Sequence, residues 1–101
     1  MLVKIQTPNE MMELSEEGKK KFEKEVLEGP LFKKVLQSIE DSALKGYTGY
    51  RRKIHSQDEV RSLKVIQKYL QAAGYKCEFE TEKRLGLISE YDVHYFVIRW
   101  K

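Results

Sequence analysis

A chain of 101 residues, 41% hydrophobic and 35% charged, has the size and make-up of one small folded domain rather than a disordered or membrane-spanning segment. Its 19 basic and 16 acidic residues leave a formal charge of +3, which permits a nucleic-acid partner without requiring one. Cys77 is the only cysteine, which excludes an intrachain disulfide and a thiolate zinc cluster and fits a reducing compartment. The N-terminus carries no basic segment followed by an apolar run, and no stretch reaches bilayer length, so a cytoplasmic chain with no membrane partner is expected.

Residues 1–14 read as an N-terminal arm ahead of a single domain at 15–101. A brief strand at 2–6 is followed by a turn at Pro8 and Asn9, and Met11, Met12 and Leu14 either cover an edge of the core or form a contact surface. Ser15 can cap a first helix over 16–28, which is mostly polar, with Phe22, Val26 and Leu27 as its apolar residues. Lys19, Lys20, Lys21 and Lys24 form a basic cluster on it, a solvated face or a phosphate-binding one. Gly29 and Pro30 then break the pattern. Proline suits the first turn of a new helix, and Val35, Leu36, Ile39 and Ala43 give that helix an apolar stripe ending at Gly46. One kinked rod and two separate helices are both compatible with this stretch.

Residues 47–55 predict a strand with Tyr50, Arg52 and Ile54 on one face and Gly49, Arg51, Lys53 and His55 on the other. Its basic side chains suit an edge strand that resists aggregation while facing the acidic row of Glu78, Glu80 and Glu82, with single-stranded nucleic acid as the alternative. The strongest local signal follows. Ser56 and Glu59 form an S-x-x-E capping box, and Val60, Leu63, Ile66, Leu70 and Ala73 recur at helical spacing as far as Gly74. The period then drops to two: Tyr75, Cys77, Phe79 and Thr81 face a core, while Lys76, Glu78, Glu80 and Glu82 face water. Residues 83–90 read as a loop around Gly86. Residues 91–100 read as a last strand with apolar groups on both faces, and hence a central one.

No phosphate loop, dinucleotide fingerprint, zinc-protease helix or nucleophile elbow is present, and the carboxylates fall on wet faces, so no catalytic residue, cofactor, metal or small-molecule substrate is expected. His55 and His94 near strand ends are too few for a metal site.

The elements assemble as an α+β domain in the order α-β-α-β-β, a three-stranded, mainly antiparallel sheet with helices on one face. Arg51, Lys53, Glu78, Glu80, Tyr95, Val97 and Arg99 would then lie on its open face, an apolar strip in a charged rim. This is the make-up of a protein interface, with Arg51, Lys53, Tyr95, Val97 and Arg99 as the candidate partner-binding residues. Lys19, Lys20, Lys21, Lys24, Tyr50, Arg51, Arg52 and Lys53 are the candidates for the alternative, a nucleic-acid contact. Ala43 and Gly46, then Leu70, Gly74 and Tyr75, then Trp100 near the C-terminus, follow a pattern that resembles small accessory proteins encoded by tailed phages and prophages. The resemblance implies a host-takeover factor or inhibitor that binds a host protein in the infected cytoplasm or self-associates, with a minor virion component as an alternative. It carries no functional residue with it.

Overall fold

The computed structural model describes residues 5–101, so most of the strand expected at 2–6 lies outside the described residues. The elements are α1 (Pro8–Glu28), α2 (Pro30–Leu44), β1 (Gly49–Lys53), α3 (Gln57–Ala72), β2 (Lys76–Leu85) and β3 (Glu90–Arg99). The strands form one antiparallel sheet in the order β1-β3-β2, with β3 in the centre as its two apolar faces require.

Each helix end has a local cause. The Thr7 side chain accepts a hydrogen bond from the Glu10 N–H at 3.2 Å and starts α1 there, so Ser15 is an interior residue and not a cap. Pro8 at the first helical position reinforces that start, where sequence reading placed a turn. At Gly29 an added Cβ would lie 2.8 Å from the Glu25 carbonyl oxygen, so the sharp junction between α1 and α2 admits only glycine, and the 15–45 stretch is two helices. Both α2 and α3 end in a Schellman motif: Tyr47 N–H bonds Ser42 O and Tyr75 N–H bonds Leu70 O, each at 3.0 Å, across Gly46 and Gly74 at positive φ.

The core lies between the sheet and the helices. Phe96 and Ile98 of β3 and Cys77 of β2 meet Leu63, Ile66 and Leu70 of α3, Val35 and Ile39 of α2, and Val26 of α1. Burial pushes the Cys77 thiol pKa up, as expected for an inward-facing core residue. The helices cover only the end of the sheet where all three strands run together. Beyond β1, which is 5 residues long, β2 and β3 at 10 residues each continue as a two-stranded ribbon. On its helix side Phe79, Thr81 and His94 are exposed. This ribbon takes in half of the stretch read as a loop at 83–90, namely residues 83–85 and 90. Leu85 pairs with Glu90 and Lys83 with Asp92, which leaves only residues 86–89 as the turn.

At the other end, α1 runs past the core and residues 8–21 are all exposed, Met11, Met12 and Leu14 among them, so these side chains cover no core edge. The two extensions explain a radius of gyration of 18.3 Å, against about 13 Å for a typical 100-residue domain.

Phe96 is fully buried at the centre of the core. Phe96→Ala is expected to cost about 3–5 kcal/mol in urea unfolding, while Lys45→Ala on the exposed α2 terminus should stay within about 0.5 kcal/mol of the parent.

Candidate functional site

The sheet face away from the helices is closed by its own charged residues. Val93, Tyr95 and Val97 of β3 form a small cluster there and are buried, although no helix covers them. The cover comes from β1 and β2. The Arg51 guanidinium stacks 3.6 Å from the centre of the Tyr95 ring and donates to Glu82 Oε2 at 2.8 Å. From β2, Arg84 donates to the Tyr95 hydroxyl at 2.9 Å and lies 3.5 Å from the same Glu82 oxygen. Arg99 reaches Glu78 and Glu80 at 3.6 and 3.4 Å. Arginine stems thus take the place of a second layer, keeping their charged heads in water.

Of the candidate partner-binding residues, Arg51, Lys53, Tyr95, Val97 and Arg99 do share this face. The structure adds that Tyr95 and Val97 lie beneath the other side chains, while Arg51 and Arg99 are engaged within the chain. Arg84, which sequence reading assigned to a loop, is part of the same cover. The signal that could have found it is the continuing alternation of Glu80, Glu82 and Arg84 beyond the stretch read as a strand.

The candidate nucleic-acid residues are not brought together. Lys19, Lys20, Lys21 and Lys24 project from α1, a helix with seven glutamates against four lysines. Arg51 and Lys53 point to the outer face, whereas Tyr50 and Arg52 point to the helix side, where both are half-buried. Arg52 Nε donates to Glu59 Oε1 at 2.7 Å. Burial alone would lower the Arg52 pKa; the Glu59 and Tyr50 contacts outweigh it and raise the value above the ordinary one. The Glu59 backbone N–H donates to Ser56 Oγ at 3.3 Å, one half of the expected capping box. Its carboxylate, drawn toward Arg52, accepts from the His55 N–H at 3.4 Å rather than from Ser56.

Two features remain open. A cavity of about 490 Å³ lies between the start of α3 and the ribbon, lined by Ile54, Val60 and Phe79 with His55, Lys64 and His94 around them. Both histidines therefore border one space, and Thr81 Oγ1 holds His94 Nδ1 at 3.0 Å. Among the described residues no group of three or more metal-ligating side chains forms. Past the cavity, the ribbon tip exposes Leu85, Leu87, Ile88 and Tyr91, with Leu87 and Ile88 fully in solvent. No helix among the described residues is long and apolar enough to cross a membrane.

Compared with protein-family models, with curated proteins and with solved structures, the chain finds no match.

The Arg51 hydrogen bond, with Arg84 beside it, holds the Glu82 carboxyl below its ordinary pKa. A depressed folded-state value contributes stability above the unfolded pKa and loses it as pH falls through the folded one. Carboxyl NMR titration should place Glu82 below the usual glutamate range. Arg51→Ala should move it upward, and the stability gap between the two proteins should narrow in acid to what the lost stacking on Tyr95 accounts for.

Proposed function

We propose that this chain is a non-enzymatic interaction protein that docks on a protein partner through the tip of the β2–β3 ribbon. The observation that carries this reading is the exposure of four large apolar side chains, Leu85, Leu87, Ile88 and Tyr91, within seven residues. Exposed apolar groups concentrated in this way mark interaction sites rather than ordinary surface. The tip also has the make-up of an interface centre, an aromatic and three aliphatic anchors with Lys83, Arg84 and Glu90 as a polar rim.

The ribbon's construction supports the same use. Two strands alone are marginal in water, yet this pair is tied by the Lys83–Asp92 register and by the Arg84 bond to Tyr95, so the tip is presented on a stiffened support. A partner would then bind without first ordering the segment, which lowers the entropic cost of association. The resemblance of the sequence pattern to small tailed-phage and prophage proteins supports a bacterial host protein as the partner class, bound so as to modulate or inhibit it in the cytoplasm. The chemistry of the tip requires an apolar, concave counterpart.

The test is capture by the tagged chain from bacterial lysate at physiological salt, with nuclease, alongside the double variant Leu87→Glu and Ile88→Glu. A discrete protein retained by the parent and lost by at least tenfold in the variant is the expected result. Capture indifferent to the double variant, or recovery of nucleic acid alone that nuclease removes, would overturn the assignment.

A further inference from the structure

We infer that α1 is a homodimerisation helix: its exposed half pairs antiparallel with α1 of a second copy, the two crossing near Gly18. The inference is independent of the ribbon tip and rests on how charge, apolar groups and a glycine are ordered along one helix.

The charges of α1 fall into two blocks. Residues 8–17 carry four glutamates, Glu10, Glu13, Glu16 and Glu17, and no base, whereas residues 19–24 carry four lysines and a single glutamate. Gly18 is the boundary. A parallel pair would set like blocks against each other. An antiparallel pair centred on Gly18 sets the acidic block toward the partner's basic one, bringing Glu16 and Glu17 level with the partner's Lys20 and Lys19, with Glu13 level with Glu23 beside Lys24 and Glu10 level with Val26. The helix is self-complementary in one orientation only, as an isologous two-fold interface requires. Among the described residues no ion pair joins two residues of α1; the one pair it makes is Glu23 with Lys68 of α3, so the blocks are not spent within the helix.

Gly18 is otherwise hard to explain. It sits inside a 21-residue helix, where glycine costs about 1 kcal/mol relative to alanine, and nothing lies within 4 Å of the position a Cβ would take. Neither a turn nor a neighbour in the same chain calls for it. A second helix crossing there would, since the missing side chain lets two backbones approach closely.

Met11, Leu14 and Gly18 follow the three-then-four spacing of a helix seam, and Met11 and Leu14 are 46% and 49% exposed. Leu14 and Phe22 stand four residues on either side of Gly18, so antiparallel crossing puts Leu14 of one copy at the level of the other's Phe22. Phe22 already packs at the margin of the core, with Arg61 3.9 Å over its ring. The partner's acidic arm would therefore arrive beside a domain whose residues 29–101 carry 14 basic and 9 acidic side chains. A helical extension unsupported by packing is marginal in water, and a second copy supplies that packing.

Sedimentation equilibrium of the full chain over the micromolar range tests this, with two surface variants. One replaces Lys19, Lys20, Lys21 and Lys24 by Glu; the other replaces Glu10, Glu13, Glu16 and Glu17 by Lys. The parent should dimerise, each variant alone should raise the dissociation constant by roughly tenfold or more, and an equimolar mixture should restore a one-to-one heterodimer. Gly18→Cys should form an intermolecular disulfide under mild oxidation, while Asn9→Cys at the helix start should not. Circular dichroism confirms that the variants fold, and a variant that does not is replaced by its two-residue counterpart (Lys20 and Lys24, or Glu13 and Glu17). A monomeric parent throughout the range, variants that dimerise like the parent, or equal crosslinking at positions 9 and 18 would overturn the inference.

Discussion

The structure depends on hiding both faces of β3. A three-stranded sheet with helices on one side leaves its central strand half uncovered, and this strand carries apolar residues on both faces, Phe96 and Ile98 inward and Val93, Tyr95 and Val97 outward. In larger folds a second helical layer or a second sheet would cover the outer row. Here the cover is side-chain deep. Arg51, Arg84 and Arg99 lie across it and are held by Glu78, Glu80 and Glu82. The ion pairs themselves are exposed and weak. Their importance is positional, since they fix flexible stems over apolar surface that would otherwise be wet.

The lengths of the strands decide where the molecule is open. β1 spans half of β3, and the helices pack only where three strands give them a wide enough floor. Past that point the sheet narrows to a ribbon, so Phe79 and His94 border an open cavity instead of a core. The same economy acts at the other end, where α1 is longer than the core it can reach. Both projecting segments therefore arise from one mismatch, elements of 10 and 21 residues built onto a core sized for shorter ones.

Much of the fold was legible because its signals are local. The Ser56 cap, the glycine stops at Gly46 and Gly74 and the change of period at Tyr75 each depend on a few adjacent residues, and the structure has each of them in place. The departures have two sources, non-local pairing and the choice between two possible caps. Residues 83–85 look like loop by composition, yet backbone pairing with 90–92 extends the strand, and its one trace in the sequence is the charged alternation of Glu80, Glu82 and Arg84. Ser15 is as good a capping residue as Thr7, and the choice falls to Thr7 because Pro8 follows it and favours a first turn. The closing of the outer face was invisible for a further reason: alternation shows which residues share a face but not that Arg51, two strands from Glu82, would reach over Tyr95 to meet it.

The sheet edges narrow the ways in which this protein can meet another. β1 and β2 are both edge strands, and an unpaired edge is a template for strand addition. β1 is short and carries Arg51, Arg52 and Lys53, while β2 presents Lys76, Glu78, Glu80, Glu82 and Lys83, so each edge is fringed with charge that a joining strand would have to accommodate. Such fringes are how natural sheets discourage edge pairing. With the edges guarded and the outer face closed by its own arginines, large apolar side chains in solvent gather at the ribbon tip and along the first half of α1, with Leu44 and Tyr47 exposed separately at the end of α2. The two differ in kind. The tip is a short apolar cluster with its charges at the rim, a shape that suits a pocket, whereas the helix spreads its apolar groups along a charged rod, a shape that suits another rod. A chain that guards its strand edges this way while leaving Leu87, Ile88, Met11 and Leu14 in water disfavours association by strand addition and leaves side-chain surfaces as the open ones.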